Sequence, residues 1–169
     1  MGNLFKSSNI RLVIGLGNPG REYAKTYHNA GVLFVSYVTQ RCPSLFENGD
    51  LLASKELMNT SGNFVKKAVA YRNIKTSELM IAHDDSDLLL GEYKIDFNRG
   101  SAGHNGVASV IKSIRTQKFF RLRIGIRSKE AVSAPRKKAS EFVLKKITPR
   151  DRKILESVFK NVCGNIIEK

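Results

Sequence analysis

Hydrophobic and polar residues follow two regular spacings along the chain, one typical of strands and one typical of helices. Short apolar or strictly alternating runs predict strands at 10–16, 51–54, 78–83, 92–97 and 119–127. Apolar residues at helical spacing predict helices at 29–41, 60–72 and 107–115, and from Pro149 onward with Thr148 as the cap. This order predicts an α/β fold: a single-domain sandwich over residues 1–169 with a mixed, twisted sheet flanked by helices.

Three charged stretches interrupt or border these elements. In 119–127 the apolar residues point one way, and Arg121, Arg123 and Arg127 point the other way. The alternation predicts an exposed row of arginines, which would either solvate the strand or meet successive phosphates of a nucleic acid. The acidic stretch 84–87 predicts a solvated turn after strand 78–83, and the polar, basic stretch 128–140 predicts a mobile loop.

The charge balance indicates a polyanionic partner. Lys and Arg total 29 against 15 Asp and Glu, which gives a net charge of +14. Nucleic acid is the usual partner of such a protein, with solubility or attraction to an anionic membrane as the alternatives. No apolar stretch reaches the length of a membrane span, and the first ten residues lack a secretory signal. We therefore expect the cytoplasm or an organelle as the location.

Two motifs suggest cofactors that the surrounding sequence does not support. Gly15 to Gly20 matches a dinucleotide-binding glycine pattern, but Pro19 interrupts the turn and Gln40 stands where an acidic residue would bind ribose. The histidines lack helical metal-site spacing, and the two cysteines are far apart. We expect no cofactor, no metal, and two isolated thiols in a reducing compartment.

Polar residues collect at predicted strand ends and before predicted helices. They are His28, Asp84 and the three asparagines Asn18, Asn59 and Asn105. Each has an ordinary structural explanation: a satisfied histidine, a solvated acidic turn, or an asparagine that caps a helix. Taken together, a base, a carboxylate and neutral amide donors favour a catalytic site at the carboxyl ends of the strands.

Several long motifs resemble the bacterial-type peptidyl-tRNA hydrolase family, and they cover nearly the whole chain. They are GLGNPGREYAKTYHNAG (15–31), MNTSG (58–62), AHDDSDL (82–88), GHNG (103–106), FRLRIGI (120–126) and FVLKKITP (142–149). The chain departs from the family in a shorter stretch between His28 and Asn59, in the lead Arg99–Gly103 into GHNG, and in Asp96, where a basic residue is usual. These departures affect the outer sheet edge and the tRNA contacts.

The resemblance implies hydrolysis of the ester bond between peptide and tRNA by a monomer. It implies that His28 is the catalytic histidine, that Asp84 orients it, and that Asn18 and Asn105 complete the catalytic set. The residues implied for substrate binding are Tyr23, Met58, Asn59 and Asn105. The residues expected to bind tRNA phosphates are Lys94, Arg121 and Arg123, with Arg121 added from the strand alternation.

The expected mechanism needs no covalent intermediate. Neutral His28 would take a proton from water, and Asp84 would fix its tautomer and stabilise the imidazolium ion. Two other functions stay open: a non-catalytic RNA-binding protein of the same fold, and a nucleotide-dependent oxidoreductase that rests on the glycine pattern alone. The presence of both His28 and Asp84 favours the enzyme over the RNA-binding protein.

Overall fold

The computed structural model describes residues 5–46, 49–128 and 139–167. Across these residues the strands are β1 (Leu12–Gly15), β2 (Asp50–Ala53), β3 (Leu79–Leu89), β4 (Tyr93–Phe97) and β5 (Phe120–Arg127). The α-helices in the same residues are α1 (Ala30–Arg41), α2 (Ser61–Arg72), α3 (Asn105–Ile114) and α4 (Pro149–Ile167). The predicted order of strands and helices is confirmed, as is the α/β class.

The strands form one mixed sheet in the order β2-β1-β3-β5-β4. β1 runs parallel to β2 and β3, and β3 runs parallel to β5, whereas β4 pairs with β5 in the antiparallel direction. Gly15, at the end of β1, lies opposite Ala82 in β3. The carboxyl ends of these parallel strands therefore meet at one edge, where α/β proteins commonly bind ligands.

Each face of the sheet is covered by two helices. α1 and α4 cover one face, around buried residues such as Phe34, Leu122 and Leu155. α2 and α3 cover the other face, around Val65, Ile81 and Val110. The predicted burial of the apolar face of 119–127 is confirmed, because Phe120, Leu122, Ile124 and Ile126 all belong to the first core.

β3 extends beyond its predicted end. The predicted turn at 84–87 is wrong, because the strand continues to Leu89 and both Asp84 and Asp85 are buried. Buried carboxylates need partners, and these come from other elements. Histidines bind Asp84, and Arg123 binds Asp85.

The predicted exposed row of arginines on β5 is also wrong. Arg121 is only 3% exposed, and Arg123 forms ion pairs with two carboxylates. Alternation predicted which face the arginines share, but not their partners, which are the Gly100 carbonyl for Arg121 and the carboxylates of Asp85 and Asp96 for Arg123. Residues 129–138 of the predicted mobile loop at 128–140 lie outside the described residues.

α4 begins as the sequence predicts and is tied to α1 at its other end. The hydroxyl of Thr148 accepts a hydrogen bond from the Asp151 N–H at 3.1 Å, so Thr148 caps the helix. Cys163 forms a disulfide with Cys42, with a Cα–Cα distance of 6.6 Å. The expectation of two isolated thiols is therefore wrong. The pairing has no local signal in the sequence, because the two cysteines are 121 residues apart along the chain. In the described part of the chain, no helix has both the length and the apolarity to cross a membrane.

Candidate active site

The first turn of α1 packs directly on the backbone of the sheet. A side chain at Gly31 would clash with the carbonyl oxygen of Ala82, and one at Gly15 would clash with the carbonyl of Gly31. Only glycine permits so close an approach of helix and strands. The contact places His28, just before α1, next to Asp84, two residues after Ala82.

The backbone around His28 is held from its other side by the chain before α4. The His28 N–H donates to the Val143 carbonyl at 2.8 Å, and the Ile147 N–H donates to the Lys25 carbonyl at 2.8 Å. Thr26 and Lys146 form an antiparallel bridge between these two hydrogen bonds. The segment 25–28 is therefore fixed against residues 143–147.

Two histidines share the carboxylate of Asp84. Nδ1 of His28 lies 2.9 Å from Oδ1 and 3.0 Å from Oδ2, and Nε2 of His104 lies 2.9 Å from Oδ1. Burial alone would raise the pKa of Asp84, but His104 and His28 together hold it well below its usual range. Asp84 is therefore an ionised acceptor for two ring N–H groups.

The tautomer of His104 follows from its second contact. The Val107 N–H donates to Nδ1 of His104 at 3.2 Å, which makes His104 the N-cap of α3. Nδ1 therefore carries the lone pair, and Nε2 carries the proton that it donates to Asp84. The spacing of residues in the sequence predicted no role for His104. Its position immediately before Asn105 in GHNG was the available signal.

His28, Asp84 and His104 also offer three possible metal ligands within 4.8 Å of one another. Helical spacing of histidines could not reveal this group, because the three residues come from different elements. The hydrogen bonds oppose metal binding: a metal on Nε2 of His104 needs the lone pair there, whereas the Val107 N–H requires the lone pair on Nδ1. The arrangement therefore fits hydrogen bonding better than ligation.

A third histidine, His83, supports the backbone of the site. Its Nδ1 lies 2.7 Å from the Asp84 carbonyl oxygen, and its ring centroid lies 4.7 Å from that of His104. Burial, followed by the neighbouring His104, lowers the pKa of His83 to about 3. His83 is thus a buried neutral residue that donates to the backbone. This is the ordinary structural role of a histidine whose hydrogen bond is satisfied within the fold.

Two adjoining cavities open at this edge of the sheet. The larger, of about 410 Å³, is lined by His28, Asp84, His104, Asn105 and Val143, among others. The second, a groove of about 340 Å³, is lined by Asn59, Asn105, Ala108, Ser109 and Lys112. Asn105 borders both, so it stands between the histidine cluster and the groove.

Asn18 is held rigidly by its neighbours. Its Oδ1 accepts a hydrogen bond from the Met58 N–H at 2.7 Å. Its backbone exchanges two hydrogen bonds of 2.9 Å with the side-chain amide of Asn29, a residue for which the sequence predicted no role. Because Oδ1 is occupied, the Nδ2 amino group of Asn18 is oriented to donate.

The residues expected to bind the substrate differ in exposure. Met58 is 4% exposed and packs so closely on Gly106 that a side chain there would clash with its sulfur. Tyr23 is partly buried, and Asn59 is exposed at the mouth of the groove. Met58 therefore shapes the wall beneath the site, and Asn59 is the most accessible of the three.

The expected tRNA-binding residues have different environments. Nε of Arg123 donates to Asp85 and Nη1 donates to Asp96, both at 2.7 Å. Burial lowers the pKa of Arg123, but these two carboxylates outweigh it and raise the pKa above its usual value. Lys94, opposite Arg123 in the register of β4 and β5, is exposed. Lys94 is thus accessible, whereas Arg123 is already paired.

Comparison with known proteins identifies the family. The family model described as peptidyl-tRNA hydrolase matches residues 12–168. The peptidyl-tRNA hydrolase of Thermodesulfovibrio yellowstonii is 38% identical over 169 residues, covering 89% of this chain and 88% of the relative. That of Metamycoplasma arthritidis is 32% identical over 171 residues, covering 94% and 90%.

The fold gives the same answer. The crystal structure of peptidyl-tRNA hydrolase from Acinetobacter baumannii superposes with a TM-score of 0.77 at 31% identity, covering 94% of this chain and 87% of that one. Sequence and fold agree over nearly the whole length. The chain belongs to the peptidyl-tRNA hydrolase family.

Proposed function

We propose that the protein hydrolyses the ester of peptidyl-tRNA with His28 as the general base. The observation that carries this proposal is the His28–Asp84 hydrogen bond at the wall of a cavity. Because Nδ1 of His28 donates to Asp84, Nε2 has the lone pair that can take a proton from water. Asp84 orients the ring and stabilises the imidazolium ion that results.

The reaction then proceeds in two proton transfers. Water attacks the ester carbonyl while Nε2 of His28 takes its proton, and the tetrahedral intermediate collapses as the same nitrogen returns the proton to the departing 3′-oxygen of tRNA. The products are free tRNA and a peptide with a free carboxylate. The Nδ2 groups of Asn18 and Asn105 are proposed to stabilise the oxyanion without adding net charge.

Substrate selection is assigned to the neutral side chains around the two cavities. In the groove that they line, Asn105 would bind the tRNA end and Asn59 would hold the substrate near the scissile ester. Tyr23 and Met58 would border the peptide. Amide donors recognise the peptide bond of peptidyl-tRNA where aminoacyl-tRNA carries a free ammonium group, which lacks an acceptor for them. Lys94 and Arg123 are proposed to contact phosphates.

The proposal includes neither a cofactor nor a metal, and it assigns every role to one chain folded as a single domain. The protein would therefore act as a monomer. Peptidyl-tRNA forms where proteins are synthesised, so we assign the enzyme to the cytoplasm or to an organelle that translates its own messages.

The direct test is release of tRNA from an N-acetylated aminoacyl-tRNA, with no cofactor and with a chelator present. We expect turnover by the wild-type protein and near-complete loss in His28→Ala. Tight binding without turnover would instead identify a non-catalytic RNA-binding protein. Turnover that requires a metal or nucleotide would contradict the proposed mechanism.

A further inference from the structure

Arg121 is a buried cation close to the proposed active site. It is 3% exposed on β5, and its Nη1 donates to the carbonyl oxygen of Gly100 at 2.7 Å. Asp96 lies opposite Arg121 in the register of β4 and β5 and balances part of its charge. A buried guanidinium cannot reach a phosphate. Because burying a charge costs free energy, its burial indicates a role other than phosphate binding.

The carbonyl that Arg121 holds belongs to residues 99–103, which we call the 99–103 segment. Ala102 has φ +49° and Gly103 has φ +82°, a left-handed conformation that is costly for alanine. At the end of the segment, the backbone carbonyl of Ser101 accepts a hydrogen bond from the backbone N–H of His104 at 3.0 Å. Over the residues that the structure describes, the bond from Arg121 is the one hydrogen bond that joins the middle of this segment to the sheet.

The segment leads directly into two residues of the proposed site. Ser101, Ala102 and Gly103 line the same cavity as His28 and Asp84. His104 and Asn105 follow at once, the first bonded to Asp84 and the second at the start of α3. The position of the segment therefore sets where the ring Nε2–H of His104 meets Asp84 and where the side-chain amide of Asn105 meets the substrate.

We infer that Arg121 is a positioning residue whose buried guanidinium holds the 99–103 segment, and through it His104 and Asn105, in the geometry that hydrolysis requires. This inference rests on the proposed hydrolysis and replaces the sequence-based expectation that Arg121 binds tRNA phosphate. The two roles predict different kinetics. A positioning residue changes turnover, whereas a phosphate contact changes binding and its dependence on salt.

The first experiment compares Arg121→Met with Arg152→Met, an exposed arginine of α4 that carries the same charge change. We expect Arg121→Met to lower kcat by about 10- to 100-fold, the range that a small misplacement of catalytic groups produces. The tRNA dissociation constant and its salt slope should match those of Arg152→Met. Arg121→Lys, which can still donate to the Gly100 carbonyl, should recover much of the lost rate. An unchanged kcat, or weaker tRNA binding with a salt slope reduced by about one, would overturn the inference.

A double-variant cycle separates positioning from general damage. If Arg121 acts through Asn105, the loss from Arg121→Met should largely disappear in an Asn105→Ala background. Fully additive losses would mean that Arg121 does not act through Asn105, and they would overturn this route.

Hydrogen exchange tests the same idea without any activity and also serves if Arg121→Met folds poorly. In Arg121→Gln, which loses the guanidinium, amides of residues 99–105 should exchange faster than in the wild type and in Arg121→Lys, while those of β1 should not change. Unchanged exchange at 99–105 would contradict the positioning role. If the wild-type protein failed to hydrolyse peptidyl-tRNA, the proposed function would fall, but this measurement would still decide how Arg121 acts on the segment.

Discussion

Asp84 and Asp85 are adjacent on β3, and both are buried, at 2% and 8% exposure, yet their surroundings differ in kind. Asp84 accepts hydrogen bonds from the imidazoles of His28 and His104. Asp85 accepts from the guanidinium of Arg123 and from the Asp87 N–H. Because successive side chains of a strand alternate, neighbours of the same type reach different elements.

The difference lies in what the partners can do. An imidazole can gain or lose a proton near neutral pH, whereas a guanidinium stays charged. A carboxylate beside imidazoles can therefore stabilise a positive charge that forms on them during a reaction. A carboxylate beside a guanidinium balances a positive charge that does not change. By this criterion the proposed chemistry would use Asp84, whereas Asp85 would support the sheet edge.

The largest effect is expected at the proposed base, His28. His28→Ala should lower turnover by about 10²- to 10⁴-fold, because the loss of a general base typically costs that much. Affinity for tRNA should be nearly unchanged, since the phosphates are contacted elsewhere. Single-turnover rates and a filter-binding assay would measure both. More than about a tenth of the wild-type rate in this variant would remove His28 from the role of base.

The comparison of the two aspartates is tested by matched substitutions. Asp84→Asn should lower kcat by about 10²-fold or more, because the amide cannot stabilise an imidazolium ion or fix the tautomer of His28. Asp85→Asn should cost less, and so should Asp87→Asn, which changes an exposed residue. Equal losses in all three variants would mean that the three carboxylates act through their combined negative charge and not through the hydrogen bonds of Asp84 alone.

His83 offers a test of which histidine near Asp84 responds to pH. Its folded pKa of about 3 lies below its ordinary value of 6.5, so the unfolded chain binds a proton that the folded chain refuses. Stability should therefore fall as pH drops from about 6.5 towards 3, by ~2 kcal/mol between pH 7 and pH 5.

Urea unfolding of the wild type and of His83→Gln at pH 7 and pH 5 would measure this contribution. The variant should lose less stability over the interval by roughly that amount. Asp84 should not contribute there, because its pKa is held below its usual range. An identical pH dependence in both proteins would show that His83 is not the responding group.

The smallest effects are expected at the outer edge, where Arg123 is paired. Arg123→Gln should raise KM and reduce the salt slope of tRNA binding by about one, with kcat at saturation nearly unchanged. Asp96→Asn should act in the opposite direction, because it releases a donor of Arg123 for phosphate. Glu156→Gln, in an exposed ion pair of α4, is the control for the change in net charge. If Arg123→Gln and Asp96→Asn both weakened binding, Arg123 would serve the sheet edge alone.

The sequence predicted the elements of this fold well because each has a local signal. The spacing of apolar residues identified β5 and its buried face, and Thr148 with Pro149 marked the start of α4. The motifs likewise pointed to His28 and Asp84, which the structure brings together.

The errors concern polar residues whose partners lie far along the chain. The stretch 84–87 has the composition of a solvated turn, but it continues β3, and its two buried carboxylates, Asp84 and Asp85, find their partners in His28, His104 and Arg123. Arg121 fits an exposed alternating position until the 99–103 segment covers it. Local periodicity contains no information on such contacts, so the burial of charges was the least predictable property.

The hydrogen bonds that fix residues 25–28 against residues 143–147 have a consequence for the protein's own synthesis. A ribosome makes His28 early and its backbone partner Val143 late. Until the late segment has been made, a nascent chain of this enzyme lacks the backbone support of its proposed base, His28. Throughout that time the chain is itself esterified to tRNA. The site is therefore completed late in synthesis. Until then the nascent polypeptide, still attached to tRNA, is itself a peptidyl-tRNA, the class of molecule that the enzyme hydrolyses.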